Sequence, residues 1–224
     1  MACGRVDWVT AEMNQVPNTS DMKLFFSPTS PYVRKCMVTA YEVGLVDALG
    51  LLPASAHPVS RDATIVANNP LGKVPTLITD TGDALYDSRV ICEYINDRGH
   101  GKLLAREGPL RWEALTLQSL GDGILDAALL IRYENHVRPE ALRWADWVKG
   151  KHDAIHTSLT DLNQRPEVFQ HEFHLGLLTV GCALWYLDLR YPELNWRNRY
   201  PALARSVEPI MRRPSMTQAW SLPV

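Results

Sequence analysis

The hydrophobic pattern of this chain changes once, close to residue 100, and that change restricts the possible folds more than any other feature. Before it, short apolar runs alternate with helical segments and with turns rich in Gly and Pro. After Pro109 the strand signals disappear, and apolar residues recur at alternating steps of four and three, as on one face of a long helix. The sequence therefore predicts an α/β unit followed by an all-helical unit.

The first half predicts the element order β-α-β-α-β-β-α, a small α/β domain. Pro31 fits the first position of a helix, where its missing N–H has no partner to lose, and Gly44 is a typical helix stop. The hairpin near residue 80 follows from a Thr-Gly-Asp turn between two apolar runs. The predicted strands are 23–26, 49–53, 74–79 and 84–86, and the predicted helices are 31–43, 61–68 and 88–95.

The second half predicts a helical bundle. Its first helix begins at Pro109, and Gly121 on its apolar face would let another helix approach closely. Further helices are expected at 140–163 and 175–189, with later turns opened by Pro201 and Pro214. The expected organisation is a flexible extension at 1–21, an α/β domain at 22–100, a linker at 101–108 and a helical domain at 109–224. The apolar face of the first helix comprises Leu110, Ala114, Leu117, Gly121, Ile124, Ala128 and Ile131.

Charge and composition exclude several classes of protein. The formal net charge is −2 and no Lys/Arg run occurs, so a nucleic-acid partner is not expected. No stretch approaches the ~18 uninterrupted apolar residues of a membrane span, and residues 1–21 do not resemble a signal peptide. The 4 cysteines are scattered and form no CxxC pair. We therefore expect free thiols, no zinc site and a cytoplasmic location.

Ser30 is the first candidate for chemistry, because it lies between a predicted strand and the helix that begins at Pro31. Its hydroxyl would lie beside unpaired N–H groups at the positive end of the helix dipole, a position that stabilises an anion. Position 33 is Val, so no Glu or Gln side chain competes for these amides. From spacing alone, a helix cap without a chemical role is the better explanation.

Two further motifs complete the pattern. Pro75 enters a predicted strand and cannot donate to its ladder, which a cis Val74–Pro75 bond or an edge strand would explain. In the first case the backbone of Val74 could pair with an extended, peptide-like ligand. Asp87 and Ser88 open the next helix, where a hydroxyl and free amides suit a carboxylate and the acid suits an ammonium group.

Together and in this order, these motifs resemble the glutathione S-transferase superfamily, and in particular a bacterial, serine-type branch. The resemblance covers about residues 22–224. The motifs that carry it are SPTSPYVRK (27–35), NPLGKVPTL (69–77), YDSRVICEYI (86–95), WEALTLQSLGDGILDAALLIRYE (112–134) and WRNRYPALARSVEPIMRRPSM (196–216).

The resemblance implies a thioredoxin-like N-terminal domain, a helical C-terminal domain and a homodimer, with glutathione as co-substrate and a hydrophobic electrophile as the second substrate. It implies that Ser30 is catalytic, that Val74 with a cis Pro75 holds the cysteinyl backbone, and that Asp87 and Ser88 hold the γ-glutamyl end. Lys73 matches a basic position that reaches the glycyl carboxylate. The electrophile pocket is expected to include Tyr32, Tyr133 and Trp185.

Alternatives remain open at this point. Ser27 or Thr29 could replace Ser30, whereas Cys36 falls inside the helix and is expected in the core. The chain could bind glutathione with little turnover, or use the same site for isomerisation or peroxide reduction. No metal is expected, because the pairs His152/His156 and His171/His174 lack further ligands.

One departure from the family concerns helix 175–189. Its usual Ser/Thr-x-x-Asp box is His174-Leu-Gly-Leu177 here, which predicts a lost cap or a later start near Thr179.

Overall fold

The computed structural model describes residues 22–219, so the predicted extension at 1–21 lies outside the described residues. The α/β half contains strands β1 Met22–Phe26, β2 Leu49–Pro53, β3 Thr76–Ile78 and β4 Ala84–Leu85, and helices α1 Pro31–Glu42, α2 Ala63–Val66 and α3 Ser88–Arg98. The predicted order β-α-β-α-β-β-α is confirmed. Strand β3 is shorter than predicted, because Val74 and Pro75 lie before its first paired residue, Thr76.

The four strands form one mixed sheet in the order β2-β1-β3-β4. β1 pairs with β2 in parallel, in the register Leu24 to Leu51, and with β3 in antiparallel orientation, in the register Leu24 to Leu77. The central β1 is buried apart from Lys23. Helices α1 and α3 pack against each other, so the N-termini of α1 and α3 are held by the same small core.

The second half is helical, as predicted, with α4 Pro109–His136, α5 Ala145–Gln164, α6 Leu175–Arg190, α7 Trp196–Arg199, α8 Pro201–Met211 and α9 Pro214–Gln218. The helix predicted from residue 140 is wrong at its start: Glu140–Leu142 is a separate 3-10 turn and α5 begins at Ala145. The backbone N–H of Trp144 donates to Glu134 Oε1 at 2.9 Å, and this bond fixes the break.

The long helix α4 is the centre of the helical half and packs against α5 and α6. Its predicted face is buried from Ala114 to Ile131, but Leu110, in its first turn, is 65% exposed. A Cβ at Gly121 would lie 2.8 Å from Thr179 Cγ2, so the predicted close approach is confirmed and involves α6. By length and composition α4 could also span a membrane, but 56% of the qualifying window is buried inside the fold, as in the core helix of a globular protein.

Helix α6 begins where the family box would place it, because His174 replaces the missing serine or threonine. The imidazole Nδ1 accepts hydrogen bonds from the backbone N–H of Gly176 at 3.1 Å and of Leu177 at 3.4 Å. The expected later start at Thr179 is wrong, since that side chain donates inside the helix to Leu175 O at 2.7 Å. A neutral imidazole therefore performs the capping that a serine or threonine would otherwise provide.

Replacing His174 with alanine is expected to lower the free energy of unfolding by about 1 kcal/mol near pH 7.5, as for other lost caps. Burial, aided by His171 and opposed by Glu113, holds the pKa of His174 below its ordinary value. The folded state then resists protonation, so the cap stabilises the protein above about pH 6.5 and is lost as the pH falls below that value. Denaturant unfolding at pH 7.5 and pH 5 measures the difference.

The control is His174→Ser, which keeps a cap without a titrating group. The difference in the free energy of unfolding between wild type and His174→Ala should shrink towards zero at pH 5. The His174→Ser variant should remain more stable than His174→Ala at both pH values. An alanine penalty of equal size at both pH values would exclude the imidazole as the cap.

Candidate active site

A cleft of about 670 Å³ lies where the α/β half meets α4 and α6. The α/β half contributes the β1–α1 loop, the loop before β3 and the start of α3, while the helical half contributes one face of α4 and part of α6. Of the side chains singled out in the sequence, those lining the cleft are Ser30, Tyr32, Lys73, Val74, Pro75, Asp87, Ser88 and Tyr133. Segments far apart in the chain therefore form one site.

Ser30 is the N-cap of α1 and is half-buried at the cleft. Its Oγ accepts a hydrogen bond from the backbone N–H of Val33 at 3.3 Å, and its own N–H donates to Ser27 O at 3.0 Å. A hydroxyl has one donor and two lone pairs, so capping uses a lone pair and leaves the O–H free to donate. Capping the helix and stabilising an anion are therefore compatible roles for the same hydroxyl.

The surroundings of Ser30 favour negative charge. The first turn of α1 contains no acidic residue, so the partial positive charge of the helix end is not neutralised within that turn. Ser27 and Thr29 also line the cleft, and the geometry leaves them as alternatives. Cys36 is fully buried, its Sγ donates to Tyr32 O at 3.4 Å, and burial raises its pKa, so it belongs to the core.

The loop before β3 presents a backbone edge to the cleft. The Val74–Pro75 peptide bond is cis, as the sequence allowed. The N–H and C=O of Val74 form no hydrogen bond with any of residues 22–219. The carbonyl of the exposed Lys73 accepts from Asn69 Nδ2 at 3.3 Å and from Thr76 Oγ1 at 2.9 Å, which fixes the loop. A donor and an acceptor on Val74 are therefore available to a peptide-like ligand.

Asp87 is the N-cap of α3, where its Oδ1 accepts from the backbone N–H of Arg89 at 2.9 Å. The guanidinium of Arg89 also lies 2.8 Å from Asp87 Oδ2. Burial acts to raise the pKa of Asp87, but the hydrogen bonds and charge of Arg89 outweigh it and hold that pKa below the usual range. The neighbouring Ser88 is 3% exposed. The pair thus presents an ionised carboxylate and a buried hydroxyl at one helix end.

A buried ion pair joins three helices below this end of the cleft. Lys35 of α1 is fully buried, and its Nζ lies 2.6 Å from Asp122 Oδ1 of α4 and 3.3 Å from Ser88 Oγ of α3. Burial raises the pKa of Asp122, although Lys35 opposes the rise. The second oxygen of Asp122 is buried with no hydrogen-bond partner among residues 22–219, and Arg89 Nε lies 3.9 Å from it.

Tyr32 connects α1 to α4 on the other side of Ser30. Its hydroxyl donates a hydrogen bond to Asp126 Oδ1. Burial and this acceptor both raise the pKa of Tyr32, so the phenol stays protonated and its only O–H is already committed. Tyr32 therefore lines the cleft without a free proton to give to an anion, which leaves that role to Ser30 or its loop neighbours.

Trp185, which the sequence analysis expected in the electrophile pocket, is not among the residues that line the cleft. The guanidinium of Arg34 lies 3.5 Å from the centre of its ring, so the indole faces α1 instead. Tyr186, one residue later, lines the cleft. One residue corresponds to about 100° around a helix of 3.6 residues per turn, so the aromatic positions were close in sequence but on different faces.

Several cleft residues were missed by the sequence analysis. Asp122 and Asp126 lie four residues apart on α4, and the expected Tyr133 follows seven residues later, so that the three form a polar stripe beside the apolar face. That interruption of an otherwise apolar helix was a readable signal. The cleft arginines had no comparable signal, because exposed arginines are common on helices. The arginines that line the cleft are Arg89, Arg132 and Arg190.

In residues 22–219, no group of three or more His, Cys, Asp and Glu side chains is placed to hold a metal ion. One histidine of each of the pairs His152/His156 and His171/His174 has another partner. His156 Nδ1 lies 3.0 Å from Tyr200 Oη, and His171 Nδ1 lies 2.5 Å from Glu113 Oε1. The chemistry available to the cleft is therefore that of a hydroxyl, a helix end and charged side chains.

Comparison with protein families gives a match to the N-terminal domain of glutathione S-transferases over residues 29–98. An Escherichia coli (strain K12) protein named "Uncharacterized GST-like protein YibF" is 31% identical over 202 residues, which span 88% of this chain and 97% of that protein.

Solved structures are also similar. A glutathione transferase family member from Pseudomonas fluorescens Pf-5, crystallised with bound glutathione, has 41% identity and a TM-score of 0.87 over 91% of this chain and 100% of its own. The structure described for the same target with bound S-(propanoic acid)-glutathione has 40% identity and a TM-score of 0.82 over 88% and 98%. A glutathione S-transferase from Methylobacillus flagellatus KT with glutathione bound has 34% identity and a TM-score of 0.80 over 88% and 98%.

Proposed function

Since the chain belongs to the glutathione S-transferase family, we propose that it is a glutathione transferase that activates the glutathione thiol for attack on an electrophilic small molecule. The observation that carries the proposal is the position of Ser30, a free O–H at the uncompensated N-terminus of α1, at the cleft that also contains the open backbone edge of Val74. In the relatives from Pseudomonas fluorescens and Methylobacillus flagellatus the bound molecule is glutathione or an S-substituted glutathione. Glutathione is therefore the expected co-substrate here.

The physical task of the site is to keep a thiol ionised near neutral pH. A free thiol has a pKa of roughly 8.5, and lowering it by about 2 units requires ~2.7 kcal/mol of preferential anion stabilisation. A hydrogen bond to a charged group contributes about 1.5–3 kcal/mol, and the end of a helix roughly 0.3–1 kcal/mol more. The Ser30 hydroxyl and the α1 N-terminus are together sufficient for this shift.

The remaining cleft residues would hold glutathione with its sulfur at Ser30. The backbone of Val74, next to the cis Pro75, would pair with the cysteinyl residue as an added strand does. Asp87 would meet the γ-glutamyl ammonium, and Ser88 with the N-terminus of α3 would receive the γ-glutamyl carboxylate. The exposed Lys73 would interact with the glycyl carboxylate.

The reaction needs no group beyond these. The sulfur of the thiolate forms a bond to an electrophilic carbon, the leaving group departs from that carbon with its electron pair, and the thiol proton goes to solvent. The helical half of the cleft, which includes Tyr133 and Tyr186, would hold the electrophile, and holding both reactants together supplies most of the acceleration. The S-substituted glutathione in the relative's structure has the form of a product of such a step.

The test is glutathione conjugation to an activated aryl halide by the wild-type protein, measured together with glutathione binding by calorimetry. Turnover with saturable glutathione dependence is expected. Binding without turnover would instead favour a glutathione-binding carrier, the second candidate, which is compatible with Ser30 acting as a helix cap. Turnover confined to an isomerisation or peroxide substrate would assign the site to one of those reactions.

A homodimer in the cytoplasm is part of the same proposal. Large apolar side chains are exposed where α3 and the start of α4 meet, near the ion pair of Arg111 with Glu93: Val90 is 47% exposed and Trp112 is 66% exposed. Such a patch favours burial against a second copy. Cys36, Cys92 and Cys182 are free and buried, as expected in a reducing compartment. Light scattering at the mass of one 25.3 kDa chain would contradict the dimer.

A further inference from the structure

Two arginines line the part of the cleft contributed by the helical half. Arg132 lies on α4, and Arg190 is the last residue of α6. The hydroxyl of Tyr191 donates to the carbonyl of Ala128 at 2.6 Å, which fixes the end of α6 one helical turn before Arg132. Burial raises the pKa of Tyr186, and the charges of Arg190 and Arg132 both oppose this rise, because both guanidiniums lie near its hydroxyl. The two cations therefore converge on one region.

Neither cation is neutralised within the described part of the chain. Among residues 22–219, no carboxylate forms an ion pair with Arg132 or Arg190. The carboxylates nearest to Arg190 in sequence are Asp188, which pairs with Arg197 instead, and Glu193, which forms no ion pair with Arg190. Both side chains are half-buried, and Arg190 Nε is buried without a hydrogen-bond partner. Two partly desolvated guanidiniums of the same sign raise the local concentration of anions.

The cleft is divided by charge. Its carboxylates belong to Asp87, Asp122 and Asp126, and each is engaged at the α1–α3 side, by Arg89, Lys35 and Tyr32 respectively. Six residues separate Asp126 from Arg132 along α4, which corresponds to about 9 Å. Leu129 and Leu130 line the stretch between them. Travelling away from Ser30, a bound molecule would therefore meet first an apolar stretch and then two positive charges.

We propose that the electrophile is a carboxylic acid, whose carboxylate binds Arg132 and Arg190 while its reactive carbon faces the sulfur held by Ser30. This inference rests on the proposed transferase function and names the substrate class for the same cleft. Guanidinium groups are suited to carboxylates because their donors match the two oxygens in pairs. The apolar stretch selects a ring or short chain between the reactive carbon and the acid.

A matched pair of probes isolates the carboxylate. In 4-chloro-3,5-dinitrobenzoate and its carboxamide, the thiolate forms a C–S bond at the carbon that bears chlorine, chloride leaves with the electron pair of the C–Cl bond, and the thiol proton goes to solvent. The two substrates differ only in the charged group. Their products are S-(4-carboxy-2,6-dinitrophenyl)glutathione and the corresponding carbamoyl compound.

Calorimetry with the two products tests the inference without requiring turnover. The wild-type protein should bind the carboxylate about tenfold more tightly than the amide, or better, as expected for charge-assisted hydrogen bonds. The Arg132→Gln/Arg190→Gln variant should reduce this ratio to about one, and the double lysine variant should keep part of it, since it retains the charges. Arg205→Gln, at an exposed position outside the cleft, is the control and should leave the ratio unchanged.

Two outcomes overturn the inference: equal affinities of the wild type for the two products, or an unchanged affinity ratio in the double glutamine variant. If that ratio is unchanged while both products bind more weakly, the arginines hold glutathione itself. Thermal melting checks that the variants fold. Turnover of both chlorides separates this inference from the proposed function. If the amide substrate is conjugated but the two products bind equally, the proposed transferase function stands and the preference for a carboxylic acid is wrong. If the carboxylate product binds more tightly but neither chloride is turned over, the anion site is supported and the transferase function is contradicted.

Discussion

Replacing Ser30 with alanine is expected to reduce kcat/KM for conjugation by about 50-fold near pH 6.5, because the pKa of bound glutathione should return to roughly 8.5. At that pH a thiol with a pKa lowered by about 2 units is half ionised, whereas an unassisted thiol is about 1% ionised. The pH dependence of kcat/KM reports this pKa directly, since the rate follows the thiolate fraction. The rate of the variant should therefore approach that of the wild type above about pH 9.

This recovery at high pH distinguishes a chemical role of Ser30 from its role as a cap. Loss of the bond to Val33 N also destabilises α1, by about 1 kcal/mol, but a destabilised helix would lower the rate at every pH. Ser27→Ala and Thr29→Ala are the matched controls from the same loop and should leave the pH profile unchanged. A shifted profile in either control, with a normal one in Ser30→Ala, would transfer the role to that residue.

Replacing Lys35 with methionine is expected to lower the free energy of unfolding by about 3–5 kcal/mol, because it leaves the carboxylate of Asp122 buried without its main counter-ion. Within residues 22–219, the one further cation that forms an ion pair with Asp122 is Arg89, at 3.9 Å. Burial already raises the pKa of Asp122 against the effect of Lys35, so removal of Lys35 raises it further. The penalty should therefore be smallest below the ordinary Asp pKa of about 3.9 and grow as the pH rises above it.

Urea unfolding of Lys35→Met, Asp122→Leu and the double variant measures this effect. The double variant should recover most of the loss, since an apolar pair of similar volume replaces the buried ions. Lys149→Met is the control: its partner Asp153 is 59% exposed and Lys149 itself is 72% exposed, so the change should stay below about 0.5 kcal/mol. A stable single variant would show that Asp122 is held neutral without Lys35.

The glutathione affinity of these variants distinguishes a role of Lys35 in folding from a role in binding. Lys35 Nζ donates to Ser88 Oγ, so it positions one of the residues proposed to hold the γ-glutamyl carboxylate. We expect the double variant to regain stability but to bind glutathione more weakly than the wild type. Full recovery of both properties would restrict Lys35 to a role in folding.

Features that depend on neighbouring residues in the sequence were predicted well, whereas features that depend on residues far apart in the chain were not. Strand and helix positions in the α/β half depend on local patterns, and they were predicted to within a few residues. The break before α5 was not predicted, because it depends on a hydrogen bond from the N–H of Trp144 to Glu134, ten residues earlier in the chain. His174 was considered a lost cap, because an imidazole acceptor is not among the residues that usually cap helices.

The cleft shows the same division. Ser30, Val74, Asp87 and Ser88 could be selected from the sequence because each stands at the end of its own element, where backbone groups are unpaired. The facing wall could not, since Trp185 and Tyr186 are adjacent in sequence and only packing against Arg34 decides which one turns away.

The sequence by itself determined the succession of elements, the division near residue 100 and the helix ends that could bind glutathione, because hydrophobic periodicity and capping act over a few residues. Only the tertiary structure decided that Lys35 meets Asp122, and that Arg132 and Arg190 line one cleft with no carboxylate partner in the part of the chain that the structure describes. The two pairs are 87 and 58 positions apart in the sequence, and the position of one helix relative to another depends on the packing of the whole core.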